Sequence, residues 1–489
     1  MRILPHWRLA LAELESKMNY KHRHHTFLAG LILMLSACTV GPDYVKPEVA
    51  SPAAFKEAEG WKVAEPQDHI PRGNWWEVFN DVELNGLEQQ VAISNENLRA
   101  AEARFRQAQA LVSSSRADYF PAITGSASHT RSKSSTLDNS IKSKSPLNNR
   151  NTLSFNLNWE ADVWGRISRT VEAANASVDA SAADIAAALL SAQAELAQDY
   201  FAMQVADSQQ QLLQDSIKAY QKSMEVTQNR YNAGVASKAD VVQAEAQLKS
   251  TQAQAADVGI QRAQLEHAIA LLIGKAPVEL TLKPAPLTVA APDIPLSLPS
   301  TLLERRPDIA AAERRTAAAN AQIGVAQAAF YPSMSLSADA GFQTMTLANF
   351  ISKPNLFWSL GAALATTIFD AGKRRAVSDQ AIATYEENVA NYRQTVLTGF
   401  QEVEDSLVAL RILQDEQKLQ EEALTAARAS LTYTTNQYKA GTVSYLDVVT
   451  ASNIALSNER TLVDLRGRQF ANSVLLIKAL GGGWTNPTS

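Results

Sequence analysis

Cysteine is nearly missing from this chain: its 489 residues include one, Cys38. No intrachain disulfide can form, even in an oxidising compartment. Histidine is scarce, and three of the seven, His22, His24 and His25, crowd the N-terminal segment. His69, His129 and His267 are scattered, which argues against a histidine metal site. A basic surplus is also lacking, with 45 Lys and Arg against 50 Asp and Glu, so nothing points to nucleic acid. Beyond residue 37 no run of 18 apolar residues occurs, which excludes a later transmembrane helix. No Ser–His–Asp or Cys–His arrangement stands out, and the Glu-rich stretches 402–405 and 421–422 fit solvated helix faces. The expectation is a protein that is not an enzyme and needs no cofactor.

What is present begins at the N-terminus. Lys21 and Arg23 precede an apolar run from Phe27 to Ala37. About 11 residues cannot span a bilayer, which takes roughly 20. Basic and then apolar regions make a signal peptide, 1–37. Glu13 and Glu15 are unusual there, and Met18 is a plausible alternative start. Leu35-Ser36-Ala37-Cys38 resembles the bacterial lipobox, whose Cys becomes an acylated N-terminus after cleavage. Several acyl chains anchor stably where one does not. Thr39, in place of an Asp, favours the outer membrane over the inner. The competing readings are a buried free Cys and an ordinary signal peptide with an incidental Cys. Without 1–37 the charge balance is 40 against 48, a net of −8.

The remainder reads as one plan written twice. RYNAGVASKADVV (230–242) and QYKAGTVSYLDVV (437–449) match at an offset of 207, which also pairs Gly165-Arg166 with Gly372-Lys373. Upstream, an offset of 211 pairs Glu102 with Glu313 and Phe120-Pro121 with Tyr331-Pro332. The division is a lipidated segment 38–81, a first repeat 82–276, a Pro-rich linker 277–299, a second repeat 300–481 and a tail 482–489.

Each repeat opens with good helix formers, over 82–117 and 300–329. Pro121 and Pro332 end them. The apolar period then falls to two. Met334, Leu336, Ala338, Ala340 and Phe342 alternate with Ser333, Ser335, Ser337, Asp339 and Gly341. TLSFNLNWEADVW (152–164) alternates likewise, while 358–368 and 122–128 do so more weakly. A transmembrane barrel strand requires this division between lipid and water; a half-exposed strand of a soluble sandwich is the alternative. Polar segments 131–151 and 343–356 read as loops. Four strands cannot close a barrel, and lipid does not tolerate an open edge. Three chains would bring the count to twelve.

Long Pro-free stretches follow, from Gly165 to Tyr231 and from Gly372 to Tyr438. Val389, Tyr392, Val396, Phe400, Val403, Leu407 and Leu410 trace a coiled-coil seam. Each helix would reach ~100 Å at 1.5 Å per residue. The Tyr-x-Ala-Gly turns reverse the chain into helices over 238–272 and 445–480.

Several stretches together resemble the TolC-like outer-membrane efflux proteins, in the lipidated OprM-like or NodT-like branch. They are Cys38-Thr-Val-Gly-Pro-Asp-Tyr, Trp75-Trp76-Glu-Val-Phe, LLERRPDIAAAE (302–313), FYPS (330–333), IFDAGKRRA (368–376), YKAGTVSYLDVV (438–449) and KALGGGW (478–484). The resemblance implies a mixed α and transmembrane β fold: a homotrimer with a twelve-stranded β-barrel, four strands per chain, continued by a periplasmic α-helical barrel. It implies the passive exit duct of a tripartite, multidrug-type pump. A periplasmic adaptor docks at the tip, and an inner-membrane transporter, usually RND-type, supplies energy. A covalent lipid such as palmitate on Cys38 would hold the duct in the outer membrane. The alternative is a lipid-anchored periplasmic coiled-coil adaptor, against which the duplicated strand pairs argue.

The family's gate lies near the second turn. Asp447 fills its first aspartate position, but the second is Thr450 and the family's tip arginine is Val443. The expectation is a single Asp447 ring held by Tyr445 and Leu446 contacts. Stabilisation of the helix N-terminus is the other role open to Asp447 and Asp240. Gly234, Val235 and Ser237, with Gly441, Thr442 and Ser444, are the expected adaptor-contact turns; the glycines equally fit a pure turn role.

Overall fold

The computed structural model describes residues 39–49, 73–133, 147–288, 291–292 and 306–482. The signal peptide, Cys38 and the tail past Gly482 lie outside the described residues, as do 289–290 and 293–299 of the linker. In chain order the elements are α1 (Val82–Ser94), α2 (Glu96–Ala117), β1 (Ala122–Lys133), β2 (Leu147–Ala161), α3 (Arg166–Asn232), α4 (Lys238–Leu272), α5 (Pro307–Ala328), β3 (Ser333–Thr344), β4 (Leu356–Ala365), α6 (Lys373–Ala440) and α7 (Tyr445–Ala479). No described helix is long and apolar enough to cross a membrane.

The helix expected over 82–117 is two helices. Asn95 interrupts it with extended backbone (φ −66°, ψ 121°). Its Nδ2 donates to the Leu272 carbonyl at 2.7 Å, and its Oδ1 accepts the Leu98 N–H at 3.1 Å. Ser94 Oγ donates to the Ile273 carbonyl at 2.8 Å. The break therefore satisfies last-turn carbonyls of α4 and starts α2 with the same side chain.

The four strands form one antiparallel sheet in the order β1-β2-β3-β4. Ala122 faces Asn158, Asn158 faces Ser337, and Ser333 faces Ala365. This register aligns the apolar alternates of every strand. Ile123, Gly125 and Ala127 lie beside Leu157, Phe155 and Leu153. Those face Ala338, Ala340 and Phe342, which in turn face Leu360, Trp358 and Leu356. The opposite side carries mainly Ser, Thr, Asn and Gly on β1 to β3 and Phe357, Ala363 and Ala365 on β4, with Arg150, Glu160 and Asp339 as its charges. β1 and β2 also run further into the expected 131–151 loop, because backbone pairing continues past the apolar band to Lys133 and Leu147. β2 ends sooner than expected: the Asp162 carboxylate accepts the N–H groups of Ile167 and Ser168 at 2.8 and 2.7 Å, which starts α3.

Two compact units emerge, and each draws on both halves of the sequence. The first holds the sheet, from the N-terminal residues to Pro47, Arg106–Asp179 and Glu313–Ala390. The second comprises Glu48–Phe105, Ala180–Ala312 and Asn391–Ser489. Its core gathers Trp75, Trp76 and Phe79 around Phe201 and Phe470, whose ring centroids are 4.5 Å apart. The expected seam is real: Tyr392 and Val396 are buried with Ile309 of α5, and Val403 and Leu407 with Leu476 of α7. Phe400 and Leu410 pack beside them.

Candidate functional site: tip turns, N-terminal strap and sheet edges

Both tip turns are glycine-terminated helix ends. Gly234 (φ +72°) donates to the Tyr231 carbonyl and Val235 to that of Arg230, each at 2.9 Å. In the second turn Gly441 (φ +79°) donates to Tyr438 and Thr442 to Gln437, each at 3.0 Å. A left-handed residue here closes off the last carbonyls. Nothing lies within 4 Å of a Cβ built on either glycine. Gly234, Val235, Gly441 and Thr442 are all exposed, so both turns are open for contact.

A serine then restarts each helix. The Ser237 N–H donates to Asp240 Oδ2 at 3.0 Å, and the Asp240 N–H returns to Ser237 Oγ at 3.2 Å. Ser444 donates to Asp447 Oδ2 from its N–H at 2.9 Å and its hydroxyl at 2.7 Å. These bonds hold the Asp447 carboxyl below the usual carboxylate range. Of the expected gate residues, Asp447, Leu446 and Thr450 are exposed, and Thr450 Oγ1 donates to the Leu446 carbonyl at 2.9 Å. Tyr445 is buried. Its hydroxyl is hydrogen-bonded to Ser223 Oγ at 3.0 Å, and its ring meets Tyr438 edge-on at 5.3 Å. Burial pushes its phenol pKa up. Within the chain the Asp447 carboxylate is held by Ser444, and packing draws Tyr445 into the apolar cluster of Ala244, Val448 and Val449.

Arg230 was not singled out in the sequence. Its guanidinium lies 4.8 Å from the centre of the Tyr438 ring, and Nη1 donates to the Lys439 carbonyl at 3.4 Å. It ties the first turn to the second. The available signal was an asymmetry between the repeats, Arg230 standing where the second turn has Gln437.

In the other unit, residues 39–44 form a strap. The Val40 N–H donates to the Trp164 carbonyl at 3.2 Å. Arg169, buried, donates to the carbonyls of Val40 and Gly41, each at 3.3 Å, and pairs with Asp43 at 3.1 Å. Asn320 Nδ2 donates to the Pro42 carbonyl at 3.0 Å, and the Tyr44 hydroxyl to Glu313 at 2.6 Å. Thr39 rests on Gly165, where a Cβ would lie 2.3 Å from its Cγ2. The residue after Cys38 is thus fixed four residues past the end of β2. Nearby, a cavity of about 280 Å³ is lined by Glu160, Asp162, Trp164, Arg166 and Tyr331. Glu160 is paired with Arg166 at 2.8 Å and Asp162 caps α3, so both acids are engaged. Among the described residues no cluster of His, Cys, Asp or Glu could hold a metal.

An open-edged sheet with one apolar face, joined to Pro-free helices of 67 and 68 residues that end in exposed glycine turns, defines a membrane-duct subunit. The chain belongs to the outer membrane efflux protein family, whose model matches residues 87–275 and 298–482. It is 29% identical over 455 residues to the cation efflux system protein CusC of Escherichia coli O6:H1, covering 92% of this chain and 97% of that one. It is 30% identical over 469 residues to the probable efflux pump outer membrane protein TtgC of Pseudomonas putida, covering 94% and 96%. Among solved structures, the outer-membrane channel OprN superposes with a TM-score of 0.83 at 30% identity, covering 91% of this chain and all of that one. The chain is therefore an outer-membrane exit duct for efflux, from a family of channels.

Proposed function

We propose that three copies of this chain close a twelve-stranded barrel in the outer membrane and continue below it as a periplasmic helical tunnel. One observation carries the reading: the sheet has two unpaired edges and an apolar face continuous over all four strands. Each unsatisfied backbone group in lipid costs several kcal/mol, so the edges must pair with other chains. Two copies would make about eight strands, whose interior side chains fill. Three leave a lumen, lined mainly by Ser, Thr, Asn and Ala with few charges. Such a wall discriminates little, which suits a passive multidrug conduit.

In this reading the exposed turns around Gly234 and Gly441 receive a periplasmic adaptor, and an inner-membrane transporter of RND type drives export. An ionised Asp447 from each copy would form an acidic ring at the tip, favouring cations. A lipid on Cys38 would secure the strap end beside the sheet. The test is a detergent-solubilised mass measurement followed by planar-bilayer recording. A trimer that conducts ions is expected; a folded monomer without conductance would overturn the proposal.

A further inference from the structure

The repeat offsets, applied to the observed register, specify how one copy joins the next. Ala122 faces Asn158 in the first hairpin. Moving Ala122 forward by 211 gives Ser333, and moving Asn158 forward by 207 gives Ala365. Ser333 does face Ala365 in the second hairpin, so sequence equivalence and strand register agree to the residue. The sheet contains one further pairing, β2 on β3, in which Asn158 faces Ser337. Its counterpart is β4 on a β1 that a single chain does not place there, since β1 and β4 are the two edges. The same shifts carry Asn158 to Ala365 and Ser337 to Ser126.

We propose that β4 pairs antiparallel with β1 of a second copy of this chain, with Ala365 opposite Ser126 of the partner subunit. The inference rests on the trimer reading and adds its register. Ala363 then faces Ser128 of the partner subunit, and Leu364 faces Ala127 of the partner subunit. Strand directions alternate along the sheet, so β4 and the partner's β1 run antiparallel without a crossover. Face and register also agree at this end of the join: Leu364 and Ala127 both belong to the apolar side, and a slip of one residue would set Leu364 against Ser126 or Ser128 of the partner subunit.

The pairing accounts for a difference between the hairpins. β2 runs to Ala161, three residues past Asn158, and its last residues Trp159, Glu160 and Ala161 are held by β3 alone. Their counterparts, offset by 207, are Thr366, Thr367 and Ile368, but β4 stops at Ala365. In the joined sheet these three residues pair with Gly125, Thr124 and Ile123 of the partner subunit. Ile368, 93% exposed, then covers Ile123, 68% exposed in the single chain. At the other end Lys133 of the partner subunit comes opposite Trp358, a cation–aromatic contact at the margin of the apolar band.

The test is oxidative cross-linking of the full-length protein in membranes. The double variant Ala363→Cys with Ser128→Cys carries the inferred pair. Gly361→Cys with Ser128→Cys and Ala365→Cys with Ser128→Cys represent slips of two residues on the same face. Directly opposed Cβ atoms are ~5 Å apart and diagonal ones ~7–8 Å, against a disulfide's ~4 Å, so the inferred pair should cross-link about tenfold faster. Single-Cys variants that conduct normally establish that the barrel folds. Equal or faster cross-linking of a slipped pair overturns this register and leaves the trimer standing. A trimer in which none of the pairs cross-links overturns the β4–β1 join itself. A monomeric protein overturns the trimer reading.

Discussion

Gly41 rests directly on Gly324: a Cβ built on Gly41 would lie 2.5 Å from the Gly324 Cα. The reverse is nearly as tight, because a Cβ on Gly324 would lie 2.9 Å from the Val40 carbonyl. The strap crosses α5 where neither chain carries a side chain. Gly324→Val should expel residues 39–44 from their seat. Hydrogen exchange at Val40, whose amide is bonded to Trp164, would report this; unchanged protection would show that the strap does not depend on the seat.

Arg169 holds the same strap by its carbonyls. Arg169→Met keeps the aliphatic stem and removes the donors. Bonds from a charged donor contribute roughly 2 kcal/mol. Exchange across the strap should accelerate by at least about tenfold, while the sheet's amides stay protected.

At the tip, Gly441 takes a left-handed conformation that costs other residues about 1–2 kcal/mol. Gly441→Ala should therefore lower the unfolding midpoint slightly and leave export intact. Gly441→Glu adds a charged side chain to an exposed turn, and export should fail while the trimer persists. Loss of the trimer would assign the glycine to folding alone.

For Asp447, charge and helix capping separate by substitution. Asp447→Asn retains a side-chain oxygen to accept from Ser444 and removes the charge. Single-channel cation preference and divalent block should change in Asp447→Asn as much as in Asp447→Ala. If Asn behaves as Asp, the residue is a helix stabiliser and not a gate.

Glu88 lies fully buried in α1, and among the described residues neither carboxylate oxygen has a hydrogen-bond partner. Burial pushes its pKa from 4.5 up to about 9. The folded state therefore keeps a proton that the unfolded state has lost over this window, so stability falls as pH rises through it. At pH 7 the penalty is roughly 3 kcal/mol. Glu88→Gln should raise the unfolding midpoint at pH 8, and the gain over wild type should shrink to nothing near pH 4. A gain independent of pH would rule out ionisation as its source.

Much of this architecture was legible in the residues. Pro121 and Pro332 fixed where helix yields to strand, and β1 and β3 start at Ala122 and Ser333. The expected α4 matches to the residue at Lys238–Leu272, because Ser237 caps it and Gly274 follows its end. Asn95 escaped notice because its break answers to carbonyls at Leu272, 177 positions away. Arg169 escaped for the same reason, since its carbonyl partners stand 128 and 129 positions upstream.

The sequence by itself determined the alternation, the turns and the extent of the two long helices, because these depend on backbone preferences and side-chain order within a few residues. Only the tertiary structure decided the register that brings every apolar alternate to one face, the seat beneath the strap and the inward turn of Tyr445. The β2–β3 pairing, the seat and the turn of Tyr445 depend on atoms that meet across a hundred or more positions of chain, where local preference has no reach and packing chooses.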